Sequence, residues 1–256
     1  MPLLEVSEMT HFFGGLRAVH DYSLGIDPGQ IRGLIGPNGA GKTTIFNLIT
    51  GIYTPTRGEI KFDGEPIKGL ETNQIASRGL SRTFQNLRLW RHMSVIDHVK
   101  LARYSKLEYG LAGAFFGTPK RIKEERKTEE IAMELLELVG LARHARQLVT
   151  NLPYGAQRRV ELARALAAEP KILFLDEPTA GMNPEELIDM MDIIREVHDE
   201  LGLGIFLIEH RMKVVMDLCE IIQTLDFGEV IAEGTPEEIR NDPKVIDAYL
   251  GKEVVV

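Results

Sequence analysis

Two short runs of uninterrupted apolar residues, 172–175 and 204–208, lie in the second half of the chain. A helical stretch separates them, and runs of this length are typical of central parallel strands that are covered on both faces. From about residue 86 to 169 the pattern favours helix: residues 129–139 repeat apolar side chains every three or four positions and stop at Gly140. The pattern therefore predicts an α/β core with a helical insert.

Turn signals divide the first hundred residues into strands. The pair Asp63-Gly64 lies between two strand-like segments, 59–62 and 65–67, and such a pair tolerates the positive φ angles of a tight hairpin. Near the other end, Thr235-Pro236-Glu237-Glu238 combines a capping hydroxyl, a first-turn proline and a glutamate that can reciprocate. We therefore expect a hairpin at 63–64 and a helix that begins after Thr235.

Composition narrows the classes of function. The chain has 256 residues, of which 44% are hydrophobic, and this is enough to bury a substantial core. Its formal net charge of -8, with acidic and basic residues interspersed, argues against nucleic acid as a partner. The single cysteine, Cys219, lies in an apolar run and is expected to be a buried, inert thiol.

The distribution of apolar residues also bears on location. No apolar stretch of the sequence approaches the roughly 20 residues that span a bilayer, and the N-terminus does not have the pattern of a signal peptide. We therefore expect a cytosolic chain that reaches a membrane only through its partners.

Residues 36–43 have the spacing of two glycines, a lysine and a hydroxyl that is typical of a phosphate-binding loop. A strand-like segment, 31–35, precedes them and a helical one, 44–49, follows, which is the order that such a loop requires. Glycine lets backbone N–H groups converge on phosphate oxygens, and the helix N-terminus adds partial positive charge. We expect Lys42 to reach the β- and γ-phosphates of ATP and Thr43 to place its hydroxyl on Mg²⁺. The alternative is a glycine-rich turn that binds nothing. The predicted nucleotide-binding set is Gly36, Pro37, Asn38, Gly39, Ala40, Gly41, Lys42, Thr43 and Thr44.

Two carboxylates follow the apolar run 172–175. Buried charges are costly unless they meet a metal, a proton or a hydrogen-bond partner. Asp176 is predicted to hold Mg²⁺, directly or through water, and Glu177 to polarise the water that attacks the γ-phosphate. The alternative is a helix N-cap that faces solvent.

His210 follows the next apolar strand, at the edge where open α/β sheets bind ligands, and could contact the γ-phosphate. A histidine after a strand is more often structural.

These motifs, with Gln85 in Arg82-Thr83-Phe84-Gln85 and the run 152–166, resemble the nucleotide-binding subunit of ATP-binding cassette (ABC) transporters. The resemblance implies an α/β fold: a P-loop NTPase core with a parallel sheet, an N-terminal antiparallel β subdomain and an inserted α-helical subdomain. It implies an ATP-binding core at 1–85 and 166–256 and a helical signature subdomain at 86–165.

The resemblance also implies individual roles. Gln85 would be the Q-loop glutamine, catalytic and a ligand of Mg²⁺, and His210 the switch histidine. Gly155 would be the central signature glycine, acting in trans on the partner's nucleotide, and residues 180–183 the D-loop. Phe13 resembles the aromatic residue that stacks on adenine, although it could equally belong to the core. The catalytic set implied in this way is Lys42, Gln85, Glu177 and His210.

The resemblance narrows to the branched-chain amino-acid importer ATPases of the LivG type and covers nearly the whole chain. It is strongest at 82–89, in the insert around 110–116 and at the ending 233–243. It implies a second ABC ATPase of the LivF type as heterodimer partner, two transmembrane permease subunits and, indirectly, an extracytoplasmic binding protein, with the ATPase on the cytoplasmic face of the membrane. Alternatives are an exporter ATPase of the lipopolysaccharide type, a soluble ABC ATPase outside transport, and a regulatory module without turnover.

One motif departs from the family's usual Leu-Ser-Gly-Gly-Gln signature, because Pro153, Tyr154 and Ala156 replace three of those five residues. Proline removes both the hydroxyl and a backbone donor that could approach a γ-phosphate. Contact would then depend on Gly155. Since the signature of one subunit closes on the phosphate loop of the other in this family, we hypothesise unequal turnover at the two sites of a heterodimer.

Residues 87–93 mix large apolar and basic side chains directly after Gln85, where the resemblance implies a docking groove for a membrane subunit. Tryptophan and arginine are common interface anchors. The alternative is that Leu87, Leu89 and Trp90 pack against the helical insert.

Overall fold

The computed structural model describes residues 1–106 and 119–250, so the family-like stretch around 110–116 lies outside the described residues. The strands are β1 Leu4–Phe13, β2 Leu16–Ile26, β3 Ile31–Ile35, β4 Arg57–Phe62, β5 Glu65–Pro66, β6 Leu80–Arg82, β7 Ile172–Asp176, β8 Gly204–Ile208, β9 Ile221–Asp226 and β10 Glu229–Gly234. The helices are α1 Lys42–Ile49, α2 Thr72–Ser77, α3 Val95–Arg103, α4 Pro119–Leu138, α5 Tyr154–Leu166, α6 Pro184–Leu201, α7 Met212–Leu218, α8 Pro236–Asn241 and α9 Pro243–Leu250.

The strands form two sheets. The first has four strands in the order β2-β1-β4-β5, all antiparallel. The second has six strands in the order β10-β9-β3-β8-β7-β6, and every pair except β10-β9 is parallel. The predicted α/β class, with an N-terminal antiparallel β part beside a parallel sheet, is confirmed.

The hairpin and helix-end predictions are confirmed. Asp63 and Gly64 join β4 to β5 with φ angles of 53° and 79°, as a tight hairpin requires. Helix α4 ends before Gly140, which has φ 69°. At the start of α8, Thr235 and Glu238 form the predicted reciprocal capping box. Each of these predictions rested on residues adjacent in sequence, where local geometry decides the outcome.

The six-stranded sheet is buried on both faces because alternate residues of its central strands point to opposite sides. On β7, Leu173 and Leu175 join one buried cluster while Ile172 and Phe174 join the other. The same division holds along β8. This explains why the two apolar runs are continuous rather than alternating.

Three phenylalanines attach α1 to the sheet. Phe46 on the helix lies 4.7 Å from Phe174 on β7 and 4.9 Å from Phe206 on β8, measured between ring centroids. All three side chains are fully buried. The helix that follows the predicted phosphate-binding loop is thereby fixed over the centre of the sheet.

Cys219 is buried, as predicted, and burial raises the pKa of its thiol. It lies against β3: a side chain at Gly33 would come within 2.9 Å of the Cys219 sulfur. The thiol is therefore a packing group under the sheet rather than a reactive one.

Candidate active site

The predicted phosphate-binding loop, residues 36–43, turns from β3 into α1 at the carboxyl end of the parallel sheet. Gly36, Gly39 and Gly41 take φ angles of 147°, 82° and 107°. A side chain at Gly36 would lie 2.1 Å from the carbonyl oxygen of Leu225 on β9, so this position requires glycine. The loop therefore has the backbone conformation that its glycine spacing predicts.

Lys42 folds back over this loop. Its side-chain nitrogen donates hydrogen bonds to the carbonyl oxygens of Gly36 at 2.7 Å and Pro37 at 3.0 Å. The residue is buried, whereas Thr43 beside it is exposed. The ammonium group therefore lies inside the turn whose N–H groups are predicted to hold phosphate. The remaining members of the predicted set, Asn38, Ala40 and Thr44, lie in or next to the same turn.

Asp176 ends β7 and is 2% exposed. Its Oδ2 accepts a 2.7 Å hydrogen bond from Nη2 of Arg82 on β6, and the same guanidinium donates to Asn47 on α1. Burial raises the pKa of the Asp176 carboxyl, against the lowering effect of Arg82. Arg82 is thus the hydrogen-bond partner that a buried carboxylate needs.

Two of the predicted catalytic side chains, Gln85 and His210, lie next to the carboxylate of Glu177. Gln85 Nε2 donates a 2.9 Å hydrogen bond to Glu177 Oε2, and His210 Nδ1 lies 3.8 Å from Glu177 Oε1. The backbone of Glu177 has φ 49°, which is uncommon for a non-glycine residue, and its N–H donates to the Ile208 carbonyl of β8. Helix α6 is capped by Asn183, so neither carboxylate of the pair is the N-cap of that helix.

The side chain of Glu209 holds the backbone at His210 through hydrogen bonds. Its side chain is fully buried, and its Oε2 accepts hydrogen bonds from the N–H groups of His210 and Arg211. Its Oε1 accepts from the backbone and hydroxyl of Thr179, in the segment that follows Glu177. The carboxylate therefore links the ends of β7 and β8.

The unusual signature begins α5. Pro153 is the N-cap residue, and the ring of Tyr154 lies against Gly181, where a side chain would come within 3.1 Å of it. A side chain at Gly155 would lie 2.8 Å from Glu186 Oε1. The signature thus packs against the start of α6 and the segment before it, and a side chain at position 155 would require the Glu186 side chain to move.

Arg158, one turn further along α5, reaches the segment that contains Gln85. Its guanidinium donates to the backbone carbonyls of Phe84 and Gln85, to the hydroxyl of Tyr154 and to Glu161. Arg158 is 5% exposed and Glu161 is 1% exposed. A buried arginine therefore ties the signature helix to the loop after β6.

Phe13, the predicted adenine-stacking residue, is 42% exposed and lies outside both buried core clusters of the described residues. Its ring makes edge contacts with Tyr53 at 5.2 Å and His11 at 4.7 Å. Its exposure and its place outside both clusters disfavour the alternative that it is a core residue.

The segment 87–93 contains both kinds of residue that were considered for it: one that packs inside the protein and one that lies at the surface. Leu89 packs against the larger buried cluster, whereas Trp90 is 53% exposed. The backbone N–H of Trp90 donates to Nε2 of the buried His98, and Arg164 lies 5.8 Å from the Trp90 ring centroid. Leu89 thus belongs to the packing of the helical insert, and Trp90 is held at the surface.

Three residues of the site had no predicted role: Arg82, Arg158 and Glu209. Arg82 lies in the segment 82–85 and Arg158 in the run 152–166, whereas Glu209 directly precedes His210. Each is a charged residue that the chain buries, and buried charges need partners. For Glu209 the available signal was its place directly after the fully apolar run 204–208.

Within residues 1–106 and 119–250, no helix is both long and apolar enough to cross a membrane. Over the same ranges, no three side chains from histidine, cysteine, aspartate and glutamate are grouped so that they could hold a metal ion.

Comparison with known proteins identifies two matching family models. One, described as ABC transporter, matches residues 19–180, and the other, described as branched-chain amino acid ATP-binding cassette transporter, matches residues 229–255. The first spans more than half of the chain and contains the phosphate-binding loop, Gln85, Gly155 and Glu177.

Curated relatives match along the whole length. The chain is 45% identical to the high-affinity branched-chain amino acid transport ATP-binding protein BraF of Pseudomonas aeruginosa and to the corresponding protein LivG of Escherichia coli K12, each over 98% of both chains. Among solved structures, the ADP conformation of an ATP-binding cassette from an ABC transporter superimposes with a TM-score of 0.85 at 29% identity, covering 98% of this chain and 99% of that one.

Proposed function

Because this chain belongs to the ABC transporter family, we propose that it is the ATPase subunit of an importer of branched-chain amino acids. The chain is a nucleotide-binding ATPase cassette, and such subunits work with membrane permeases. The amino-acid substrate is supported by the names of its relatives and by the match at 229–255. That C-terminal match favours import over the lipopolysaccharide-exporter alternative.

One observation carries the proposed chemistry: Gln85 and His210 flank the Glu177 carboxylate at the sheet edge where the phosphate-binding loop turns. Glu177 would act on the attacking water as general base or orienter, and its bond from Gln85 would aim it. His210, whose side chain is more exposed than that of Glu177, would contact the γ-phosphate.

Nucleotide would be held by the loop, with Lys42 transferring from the carbonyls of Gly36 and Pro37 to the β- and γ-phosphates. The exposed ring of Phe13 would stack on adenine. Gly155 would act in trans, at the start of a helix whose first N–H groups can approach the partner's γ-phosphate.

Thr43, Gln85 and Asp176 are the proposed ligands of Mg²⁺. Mg²⁺ takes oxygen donors and is usually bound through one or two carboxylates together with phosphate oxygens and water, so a set with one carboxylate, a hydroxyl and an amide oxygen fits it. Bound there, Mg²⁺ would offset the negative charge of the phosphates. Arg82 would keep the Asp176 carboxylate oriented.

The proposed assembly has two ATPase subunits and two permeases. The second ATPase would be of the LivF type, the pair would lie on the cytoplasmic face of the membrane, and an extracytoplasmic binding protein would deliver substrate. Within this chain, residues 1–85 and 166–256 would form the ATP-binding core and residues 86–165 the signature subdomain. Trp90, exposed and backed by Arg164, would contact a permease.

Reconstitution tests this proposal. The chain, its second ATPase, both permeases and the binding protein are placed in proteoliposomes, and ATP-dependent uptake of leucine, isoleucine and valine is compared with that of lysine and glutamate. We expect uptake of the branched-chain set alone and no uptake with Lys42→Ala. ATP turnover without amino-acid uptake would retain the ATPase and refute the substrate, whereas a wild-type complex that hydrolyses no ATP would refute both.

A further inference from the structure

The C-terminal helix reaches the phosphate-binding loop. Tyr249, on the last turn of α9, accepts a 2.9 Å hydrogen bond at its hydroxyl oxygen from the backbone N–H of Gly36. The two residues are 213 positions apart in the chain. None of the nucleotide-binding motifs discussed above includes Tyr249, and it lies in the 229–255 region that matches the branched-chain family model.

Helix α9 packs against the core of the protein, and this packing fixes the position of Tyr249. Val245, one turn before Tyr249 on the same face, is 3% exposed and belongs to the larger buried cluster, as does Ile239 of α8. Tyr249 is half-buried and packs against that cluster. At the start of the helix, the N–H of Lys244 donates to the side chain of Asp242. The tyrosine ring is therefore supported by the core while its hydroxyl meets the loop.

Among the three glycines of the loop, Gly36 has the closest neighbour. Its Cα faces the Leu225 carbonyl oxygen, which leaves no space for a side chain, and its own carbonyl oxygen accepts from Lys42 at 2.7 Å. The bond from its N–H to Tyr249 constrains the other side of the same residue. The phenol oxygen has lone pairs with which it can accept this bond.

A second contact from the same part of the chain supports the loop. The N–H of Gly228, in the turn between β9 and β10, donates a 2.8 Å hydrogen bond to the carbonyl oxygen of Ala40. The C-terminal part of the chain thus contacts the loop at its first residue, Gly36, through a side chain and near its middle, at Ala40, through backbone. Only the first of these contacts can be removed by a substitution that leaves the backbone unchanged.

We propose that Tyr249 is a positioning residue of the nucleotide site, which holds Gly36 and thereby preorganises the phosphate-binding loop for nucleotide. The inference deepens the proposed function and rests on it. Tyr249 contacts the loop backbone, so its effect is on how tightly nucleotide is held. An ordered loop loses less conformational freedom on binding than a mobile one.

The test is Tyr249→Phe in the full-length chain, which removes the hydroxyl and keeps the ring. In nucleotide-free protein, amide hydrogen exchange at Gly36 should accelerate about three- to tenfold, and the dissociation constant for ADP should rise by a similar factor, as expected for one hydrogen bond. In the assembled complex, KM for ATP should rise while kcat stays within about twofold, because the chemical groups are unchanged.

Tyr22→Phe is the matched control. Its hydroxyl is also buried, and among the described residues it has no hydrogen-bond partner, so its loss should leave Gly36 exchange and ADP affinity unchanged. The proposal is overturned if Tyr249→Phe leaves either Gly36 exchange or ADP affinity at the wild-type value, or if kcat falls with KM constant. Failure of the wild-type chain to bind ADP would instead refute the proposed function, and the Gly36 exchange comparison would still report whether the contact forms.

Discussion

The side-chain amide of Gln85 donates a 2.9 Å hydrogen bond to the carboxylate of Glu177, joining the loop after β6 to the end of β7. A hydrogen bond to a charged acceptor is shorter and stronger than a neutral one. Because Arg158 holds the backbone of Gln85 from the signature helix, the orientation of the proposed water-activating carboxylate depends on contacts from three parts of the chain.

Replacing Glu177 with glutamine should abolish most turnover while leaving nucleotide binding intact. The amide is similar in shape but cannot accept a proton, so we expect kcat of the assembled complex to fall by about 10²- to 10⁴-fold. ATP hydrolysis and retention of labelled nucleotide are measured on the same preparation. Glu185→Gln, an exposed carboxylate on the first turn of α6, is the control and should retain near wild-type turnover. Wild-type turnover in Glu177→Gln would contradict the assignment.

Alanine at Gly36 and at Gly39 should have unequal costs. Both have positive φ, but the new side chain at Gly36 would lie 2.1 Å from a backbone oxygen, whereas at Gly39 nothing lies within 4 Å. We expect Gly39→Ala to lower the free energy of unfolding by about 1–2 kcal/mol and Gly36→Ala by roughly 2–5 kcal/mol, since overpacking adds to backbone strain. Denaturant unfolding without nucleotide measures both, and equal losses would refute the steric argument.

Arg82→Met should be strongly destabilising at neutral pH. It leaves the Asp176 carboxylate buried without its guanidinium partner, and breaking a buried pair in this way costs about 3–5 kcal/mol. The loss should shrink on acidification, because a protonated Asp176 carries no buried charge. Unfolding free energies at pH 7 and pH 5 test this, and Arg82→Met combined with Asp176→Asn should recover part of the loss. A cost below about 1 kcal/mol for the single change would contradict it.

The buried His98 should make stability depend on pH. Burial lowers the pKa of this imidazole below 6.5, and its neutral Nε2 accepts the N–H of Trp90. The unfolded chain therefore binds the proton more readily, so this contribution to stability is present above pH 6.5 and is lost as the pH falls through the lowered pKa. Asp97 opposes this shift and Arg164 adds to it.

We expect the unfolding free energy of the wild type to fall below pH 6.5 with a slope of at most about 1.4 kcal/mol per pH unit from this group, and His98→Gln to lack that component. Urea unfolding of both proteins between pH 5 and pH 8 measures it. Parallel pH curves for the two proteins would exclude His98 as the source.

The two ATP sites of the assembled complex should turn over unequally. The altered signature, with Pro153 and Tyr154, would act on the partner's nucleotide, whereas this chain's own site keeps Glu177, Gln85 and His210. Glu177→Gln should therefore remove a larger share of ATP hydrolysis than glutamine at the corresponding glutamate of the second ATPase. Equal losses from the two single changes would count against this asymmetry.

Predictions from sequence were accurate where neighbouring residues decide the outcome. The hairpin at Asp63-Gly64, the capping box after Thr235 and the two apolar strands all follow from local chemistry or from a periodicity of a few residues. The parallel order of β7 and β8 then requires Glu177 and His210 to meet at one edge, and they do.

Contacts between distant segments could not be predicted in the same way. Asp176 was expected to need a partner, but nothing near it in sequence indicates that Arg82, 94 positions earlier, supplies it. The contact of Tyr249 with Gly36 likewise depends on how α9 docks, which packing of Val245 decides. Charge and burial predict that a partner exists, and only the fold identifies it.

Arg158 contacts the loop after β6 through main-chain oxygens, those of Phe84 and Gln85. Every residue type has such an oxygen, so this attachment imposes no requirement on the side chains at the surface of the loop. Substitutions among the exposed side chains of this loop and of the residues that follow it, Trp90 included, should therefore leave both Arg158 contacts in place.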